Sequence, residues 1–197
     1  MSLDRTDITG LVLAGGRGQR MGGVDKGLQL LRGTALARLA LDRLLPQVAG
    51  GLVSANRHLD TYATFGVPVL TDGAPDHPGP LAGLLAGLHH CPTAWLLAVP
   101  CDTPHFPLDL ADRLARAITE EGADIAMAAT LEDGRVQPQP VFCLVRRALE
   151  ADLAAFIAEG GASPRAWAAR HALAMVTFDD PTAFANANTL ADLQRLQ

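Results

Sequence analysis

Residues 11–28, LVLAGGRGQRMGGVDKGL, decide the fold. The apolar residues Leu11 to Ala14 run straight into a segment holding six glycines, two arginines and a lysine. A strand of this kind ends in a loop whose backbone is open and whose side chains are cationic. The lysine, Lys26, is the chain's only one, while the other fifteen basic residues are all arginine.

Outward from this loop, apolar runs of strand length alternate with stretches of helical period, the pattern of a mostly parallel sheet covered by helices. Strands are expected near Thr9–Ala14, Gly51–Ala55, Val67–Leu70, Trp95–Val99, Asp124–Ala129, Val141–Val145 and Ala174–Phe178. Residues 34–45, TALARLALDRLL, place Leu36, Leu39, Ala40 and Leu44 on one helical face, with Thr34 as N-cap and Pro46 as the stop. Residues 80–90, 108–121, 146–159 and 189–196 are similarly amphipathic. Residues 131–140, LEDGRVQPQP, join Asp-Gly turn chemistry to two prolines and read as a loop or hairpin near a sheet edge. The expected architecture is α/β: a single domain over residues 1–197, built on a mostly parallel, doubly wound, Rossmann-like sheet with helices on both faces.

Bulk properties narrow the function. A chain of 197 residues, 49% hydrophobic and 19% charged, buries one real core and is neither disordered nor fibrous. A net charge of -5 argues against a protein that wraps nucleic acid by bulk electrostatics, so any phosphate is held locally. Cys91, Cys101 and Cys143 form no CxxC pair and no even-numbered disulfide framework, and are expected to be buried thiols in a reducing compartment. The start, MSLDRTDITG, lacks a leader pattern, and no apolar run approaches the roughly 20 residues needed to span a bilayer. A cytoplasmic protein without membrane or nucleic-acid partners is expected.

In open α/β sheets ligands sit beyond the carboxyl ends of the strands. Those ends read Ala14-Gly15-Gly16, Ser54-Ala55-Asn56, Thr71-Asp72 and Pro100-Cys101-Asp102. The glycine loop matches neither common phosphate motif. A dinucleotide GxGxxG starting at Gly16 and Gly18 would need glycine where Met21 stands, and a GxxxxGK[ST] motif through Gly18 and Gly23 would need lysine where Val24 stands. Its backbone N–H groups can still approach an anion, and Arg17, Arg20 and Lys26 add charge, although a flexible turn with surface cations has the same composition.

Asp102 is framed by Pro100 and Pro104, a stiff placement suited to a Mg²⁺ shared between a carboxylate and substrate phosphates. A strand-end aspartate can equally cap the next helix, and Asp72 has the same two readings. Asn56 offers a donor and an acceptor to a ribose or base, and is also a common loop residue. Asn186 and Asn188, two apart, share one side of an extended segment and can read a flat polar heterocycle, or Asn188 can cap a last helix. The six histidines show no metal-ligand spacing.

These pieces resemble the molybdenum cofactor guanylyltransferase family. LAGGRGQRMGGVDKGL, SANR, LTD, PGPLAGLLAGL, PCDTP, PVFCL and FANANTLADL occur in the family's order over nearly the whole chain. The resemblance implies a nucleotidyltransferase-type fold that joins GMP from GTP to the terminal phosphate of molybdopterin, releasing pyrophosphate, with Mg²⁺ as cofactor. It implies that Leu13, Ala14 and Gly15 contact the guanine nucleotide, Asn56 and Asp72 its nucleoside part, Lys26 its phosphates and Asp102 the metal. The backbone of Gly15, Gly16 and Gly18, with Arg20, Lys26 and Asp102, would gather around the triphosphate and carry catalysis. Asn186 and Asn188 match the family's pterin-side motif, and Arg165 in SPRAW would meet the phosphate of the second substrate. The N-terminal half would then bind GTP and the C-terminal part serve the molybdopterin side of a monomer. Other cofactor-biosynthesis proteins and apo-molybdoenzymes are implied as further partners.

Two positions depart from the pattern. Gln139-Pro140 stands where family members often have His-Pro, and Leu190 replaces the proline of an N-T-P motif. The competing readings are a cytidylyltransferase or sugar-phosphate nucleotidyltransferase with the same kind of loop, and a non-catalytic carrier of nucleotide or cofactor.

Overall fold

The computed structural model describes residues 3–15, 25–72, 79–187 and 192. Its strands are β1 (Ile8–Leu13), β2 (Leu30–Leu31), β3 (Thr34–Ala35), β4 (Gly50–Ser54), β5 (Val69–Leu70), β6 (Trp95–Pro100), β7 (Ile125–Glu132), β8 (Arg135–Arg146) and β9 (Leu173–Phe178). The helices are α1 (Leu36–Leu44), α2 (Leu59–Ala63), α3 (Pro80–His90), α4 (Leu110–Glu121), α5 (Glu150–Ala158) and α6 (Pro164–Ala168).

Seven strands form one sheet in the order β5-β4-β1-β6-β8-β7-β9, and β2 pairs with β3 in a separate small hairpin. All neighbours in the large sheet are parallel except β8, which runs antiparallel to both β6 and β7. The Asp-Gly signal explains β8. Asp133 and Gly134 have φ of 49° and 74°, the left-handed pair that closes a tight hairpin, so the chain returns directly beside β7. Pro138 and Pro140 lie on β8 beyond Cys143, where its pairing with β6 stops, so their missing N–H groups cost no ladder bond on that side.

The sheet is covered on both faces, and the pleat sorts the side chains. Val12, Leu97, Val99, Ala126, Ala128, Phe142 and Leu144 pack with α1 and α4, while their neighbours Leu11, Leu96, Ala98, Met127, Cys143 and Val145 pack with α3, α5 and α6. Burial on both sides is why the central strands read as unbroken apolar runs. Helix α3 lies close because Gly87 has no side chain: a Cβ there would come within 2.5 Å of Leu11 Cδ2.

Two of the expectations for these elements, the cap of α1 and the length of the third strand, need correction. Thr34 is not the N-cap of α1; it sits in β3, paired with Leu31, and Ala35 occupies the cap without a side-chain bond. Helix α1 does stop at Pro46, ending at Leu44, and the chain goes on in a 3₁₀ turn over Leu45–Gln47, where proline fits because it is in the first turn. The expected third strand shrinks to Val69–Leu70, with Pro68 accepting at its carbonyl from Val53. The helix expected over 189–196 falls largely outside the described residues.

Candidate functional site

From β1 the chain goes to β4 and β5 on one side and later comes back to β6 on the other, so the ends of β1 and β6 flank a topological switch. Crevices form at such points. The ladder continues just past the strand ends: Ala14 N–H donates to Ser54 (2.8 Å), Ala55 N–H to Leu70 (2.9 Å) and Cys101 N–H to Leu13 (3.1 Å). Gly15, Asn56, Asp72 and Asp102 therefore share one rim. Leu13 and Ala14 contribute the backbone that sets it.

On one side of the rim Asn56 and Asp72 hold each other. Asn56 Nδ2 donates to Asp72 Oδ2 at 2.8 Å, and Asp72 N–H donates back to Asn56 Oδ1 at 3.2 Å. The pair stands against Gly15, where a Cβ would lie 3.4 Å from Asn56 Nδ2 and 3.8 Å from Asp72 Oδ2.

On the other side Lys26 opens a 3₁₀ turn, Lys26–Leu28, and its Nζ lies 3.3 Å from Asp102 Oδ2. The residue before it, Asp25, is buried, and its carboxylate accepts from Gly27 N–H at 3.1 Å and from the Tyr62 hydroxyl at 2.7 Å. Burial, helped by the bond to Asp25, pushes the Tyr62 phenol far above its ordinary range, so it remains a donor at neutral pH.

The C-terminal segment docks on the same place. Thr103, fully buried, donates its hydroxyl to Asn186 Oδ1 at 2.6 Å, and Ala187 N–H donates to the Asp102 carbonyl at 2.7 Å. Ala187 is buried with Leu31 and Leu36, so the small hairpin β2–β3 and the start of α1 anchor the segment.

The structure thus brings Lys26, Asp102 and Asn186 into one cluster and Gly15, Asn56 and Asp72 into another on the same rim. Arg165 is exposed near the start of α6, whose Trp167 packs on the α3–α5 face, and among the described residues it makes no hydrogen bond or ion pair to the rim. Gly16, Gly18, Arg20 and Asn188 lie outside the described residues, as does Leu190. Gln139 donates to the buried Thr130 hydroxyl at 3.2 Å. The sequence reading missed Asp25, Tyr62 and Thr103. Asp25, two before Gly27, carried an Asx-turn signal; the other two carried none.

Among the described residues no three His, Cys, Asp or Glu side chains gather as a metal cage. Mg²⁺ seldom needs one: it takes one or two carboxylates and completes its shell with water and substrate phosphates. Asp102 on an open rim fits that donor set, whereas Asp25 is spent on Tyr62 and Gly27. The three cysteines are free and buried. Burial raises Cys143 to about 12 and raises Cys101 as well, with the nearby Asp102 and Asp25 charges adding to it, so neither is a thiolate nucleophile at neutral pH.

The sheet order, with the Lys26–Asp102 pair where the ends of β1 and β6 emerge, defines an α/β protein of the doubly wound class with its crevice at the strand ends. The MobA-like NTP transferase domain matches residues 10–175, and the chain belongs to that family. A protein of Bordetella petrii named molybdenum cofactor guanylyltransferase is 56% identical over 98% of this chain and 99% of its own. One of the same name from Cupriavidus necator is 57% identical, covering 96% of each chain. Among solved structures, molybdopterin-guanine dinucleotide biosynthesis protein A from Archaeoglobus fulgidus superposes with a TM-score of 0.75 over 95% of both chains at 21% identity, which supports the fold.

Proposed function

We infer that the protein is a molybdenum cofactor guanylyltransferase, transferring GMP from GTP to the terminal phosphate of molybdopterin. The observation that carries this is the 56% identity over 98% of the chain to a relative of that name. An oxygen of the molybdopterin phosphate attacks the α-phosphorus of GTP, and the bond from that phosphorus to the bridging oxygen breaks. Pyrophosphate leaves with the electron pair. Both reactants are anions, so the protein's task is positioning and charge neutralisation rather than covalent catalysis.

In this reading Gly15 lets the nucleotide approach the backbone, and the Asn56–Asp72 pair, each orienting the other, reads the nucleoside. Lys26 offers a compact positive charge to the phosphates. Asp102 is the residue that would hold Mg²⁺, which supplies charge neutralisation of the triphosphate when bound. Asn186, its oxygen engaged by Thr103, presents its amide nitrogen to the second substrate. The N-terminal part of the sheet serves GTP and the C-terminal segment serves molybdopterin. Arg165, exposed near the start of α6, remains the candidate contact for the phosphate of the second substrate, from outside the hydrogen-bonded rim. A cytoplasmic location is part of this reading; among the described residues no helix is long and apolar enough to cross a membrane.

Pyrophosphate release tests the reading. Purified protein, molybdopterin and Mg²⁺ are incubated with GTP, CTP or UTP in turn, and release with GTP is expected. Preference for CTP would move the chain to the cytidylyl branch, and nucleotide binding without release would make it a carrier.

A further inference from the structure

Lys26 is held from outside the rim, and both of its flanks meet the same phenol. Asp25 before it accepts the Tyr62 hydroxyl at 2.7 Å. Gly27 after it has no room for a side chain, because a Cβ would collide with that hydroxyl and press on Ala37 Cβ at 3.2 Å and Ala14 Cβ at 3.3 Å. A carboxylate is expensive to bury and persists only when hydrogen-bonded, and Asp25 meets that condition through Tyr62 and the Gly27 N–H. The ring of Tyr62, fully buried on α2, could fill its pocket as phenylalanine; its hydroxyl is spent on the residue next to the lysine. Helix α2 begins three residues after Asn56, so the nucleoside-side loop and the phosphate-side turn share this support.

We propose that Tyr62 is a positioning residue for the transfer: acting through Asp25, its hydroxyl locks the turn that aims Lys26 at the nucleotide phosphates. The proposal rests on the reading that Lys26 meets the triphosphate. It predicts that loss of the hydroxyl is felt where the triphosphate reacts and not where guanosine binds.

Because Lys26 is the only lysine, protein made with [13Cε]lysine gives a single lysine side-chain resonance, which reports the clasp whether or not transfer occurs. In Tyr62→Phe that signal is expected to move toward the free-lysine position, and the shift induced by GTP to shrink. The kcat for pyrophosphate release should fall about tenfold, the range of a hydrogen bond to a charged group, while GMP affinity stays within about twofold. In a Lys26→Ala background, which lacks the group being positioned, Tyr62→Phe should cost nothing further in kcat. Asp25→Asn, which keeps the shape and removes the charge, should reproduce the lysine shift if Tyr62→Phe is too unstable to purify. An unchanged lysine resonance in both variants, or the same fold loss of kcat with and without Lys26, would show a plain core tyrosine and overturn the proposal. Failure of the guanylyl reading looks different: wild-type protein would release no pyrophosphate while the lysine signal still responded to Tyr62→Phe.

Discussion

The Lys26 ammonium lies 3.3 Å from the Asp102 carboxylate across 76 positions of sequence. They meet because β1 and β6 are parallel neighbours, Leu13 opposite Pro100, so that the turn after one strand and the first residues after the other emerge together. The rim thus carries two charges of opposite sign side by side, and on the proposed reading one faces the nucleotide phosphates and the other Mg²⁺. The form of each charge then matters as much as its presence.

Lys26→Arg tests that form. An ammonium is a point charge on a flexible stem, while a guanidinium is a wide planar fork that must fit the space beside Asp102. The variant is expected to keep its urea midpoint and lose about tenfold or more in kcat for pyrophosphate release. A rate near wild type would mean that positive charge alone suffices.

Asp102→Asn keeps the size and removes the charge. Single-turnover transfer is expected to slow by about 100-fold, and the Mg²⁺ concentration for half-maximal rate to rise. An unchanged Mg²⁺ dependence would take the metal away from Asp102.

Thr103→Val removes the donor to Asn186 without changing the volume. Asn186 Oδ1 then loses its partner, and stability in urea should fall by about 1–3 kcal/mol. The KM for molybdopterin should rise while that for GTP stays near wild type, and Thr103→Ser should restore both. An equal rise for both substrates would place Asn186 outside the molybdopterin side.

Most of this was legible in the sequence, for reasons that differ by element. The central strands showed themselves because both faces are buried, and the place of Asp102 at a strand end between prolines was readable while its role stayed open between metal and helix cap. The cap at Thr34 failed because β2 and β3 pair locally and draw that residue into a hairpin too short to leave a pattern. The five-residue helices α2 and α6 are shorter than the window over which helical periodicity can be read. The Asp25–Tyr62 bond spans 37 positions and depends on where α2 docks, which no local signal encodes. Strand ends named the residues of the rim; tertiary packing named their supports.

Acid should loosen the α5–α6 corner. The Trp167 indole N–H donates to Asp152 Oδ1 at 2.8 Å and holds this carboxyl below its ordinary value of 3.8, with the nearby His171 charge adding to the effect. A carboxyl depressed in the folded state contributes stability above its unfolded pKa and loses it as pH falls through the folded one. Urea midpoints between about pH 5 and pH 2 should therefore decline less steeply in Asp152→Asn than in wild type. Parallel declines would mean that the acid sensitivity arises elsewhere.

The cysteines provide a check on the absence of covalent catalysis. Cys91, Cys101 and Cys143 are all buried, and burial lifts the Cys101 and Cys143 thiols well above neutrality. At about pH 8 the native protein should react with a disulfide reagent only as fast as it opens, and all three thiols should titrate at once in denaturant. Cys101 is the informative one, because it sits between β6 and Asp102 and its N–H binds Leu13. Cys101→Ala removes the cysteine thiol from the rim while leaving that backbone bond in place. It should keep the single-turnover rate within about twofold of wild type if transfer is direct from GTP to the acceptor phosphate. A folded Cys101→Ala protein without transfer, together with labelled GMP trapped on the Cys101 thiol of the wild type, would establish a covalent guanylyl intermediate, and the direct displacement would have to be abandoned.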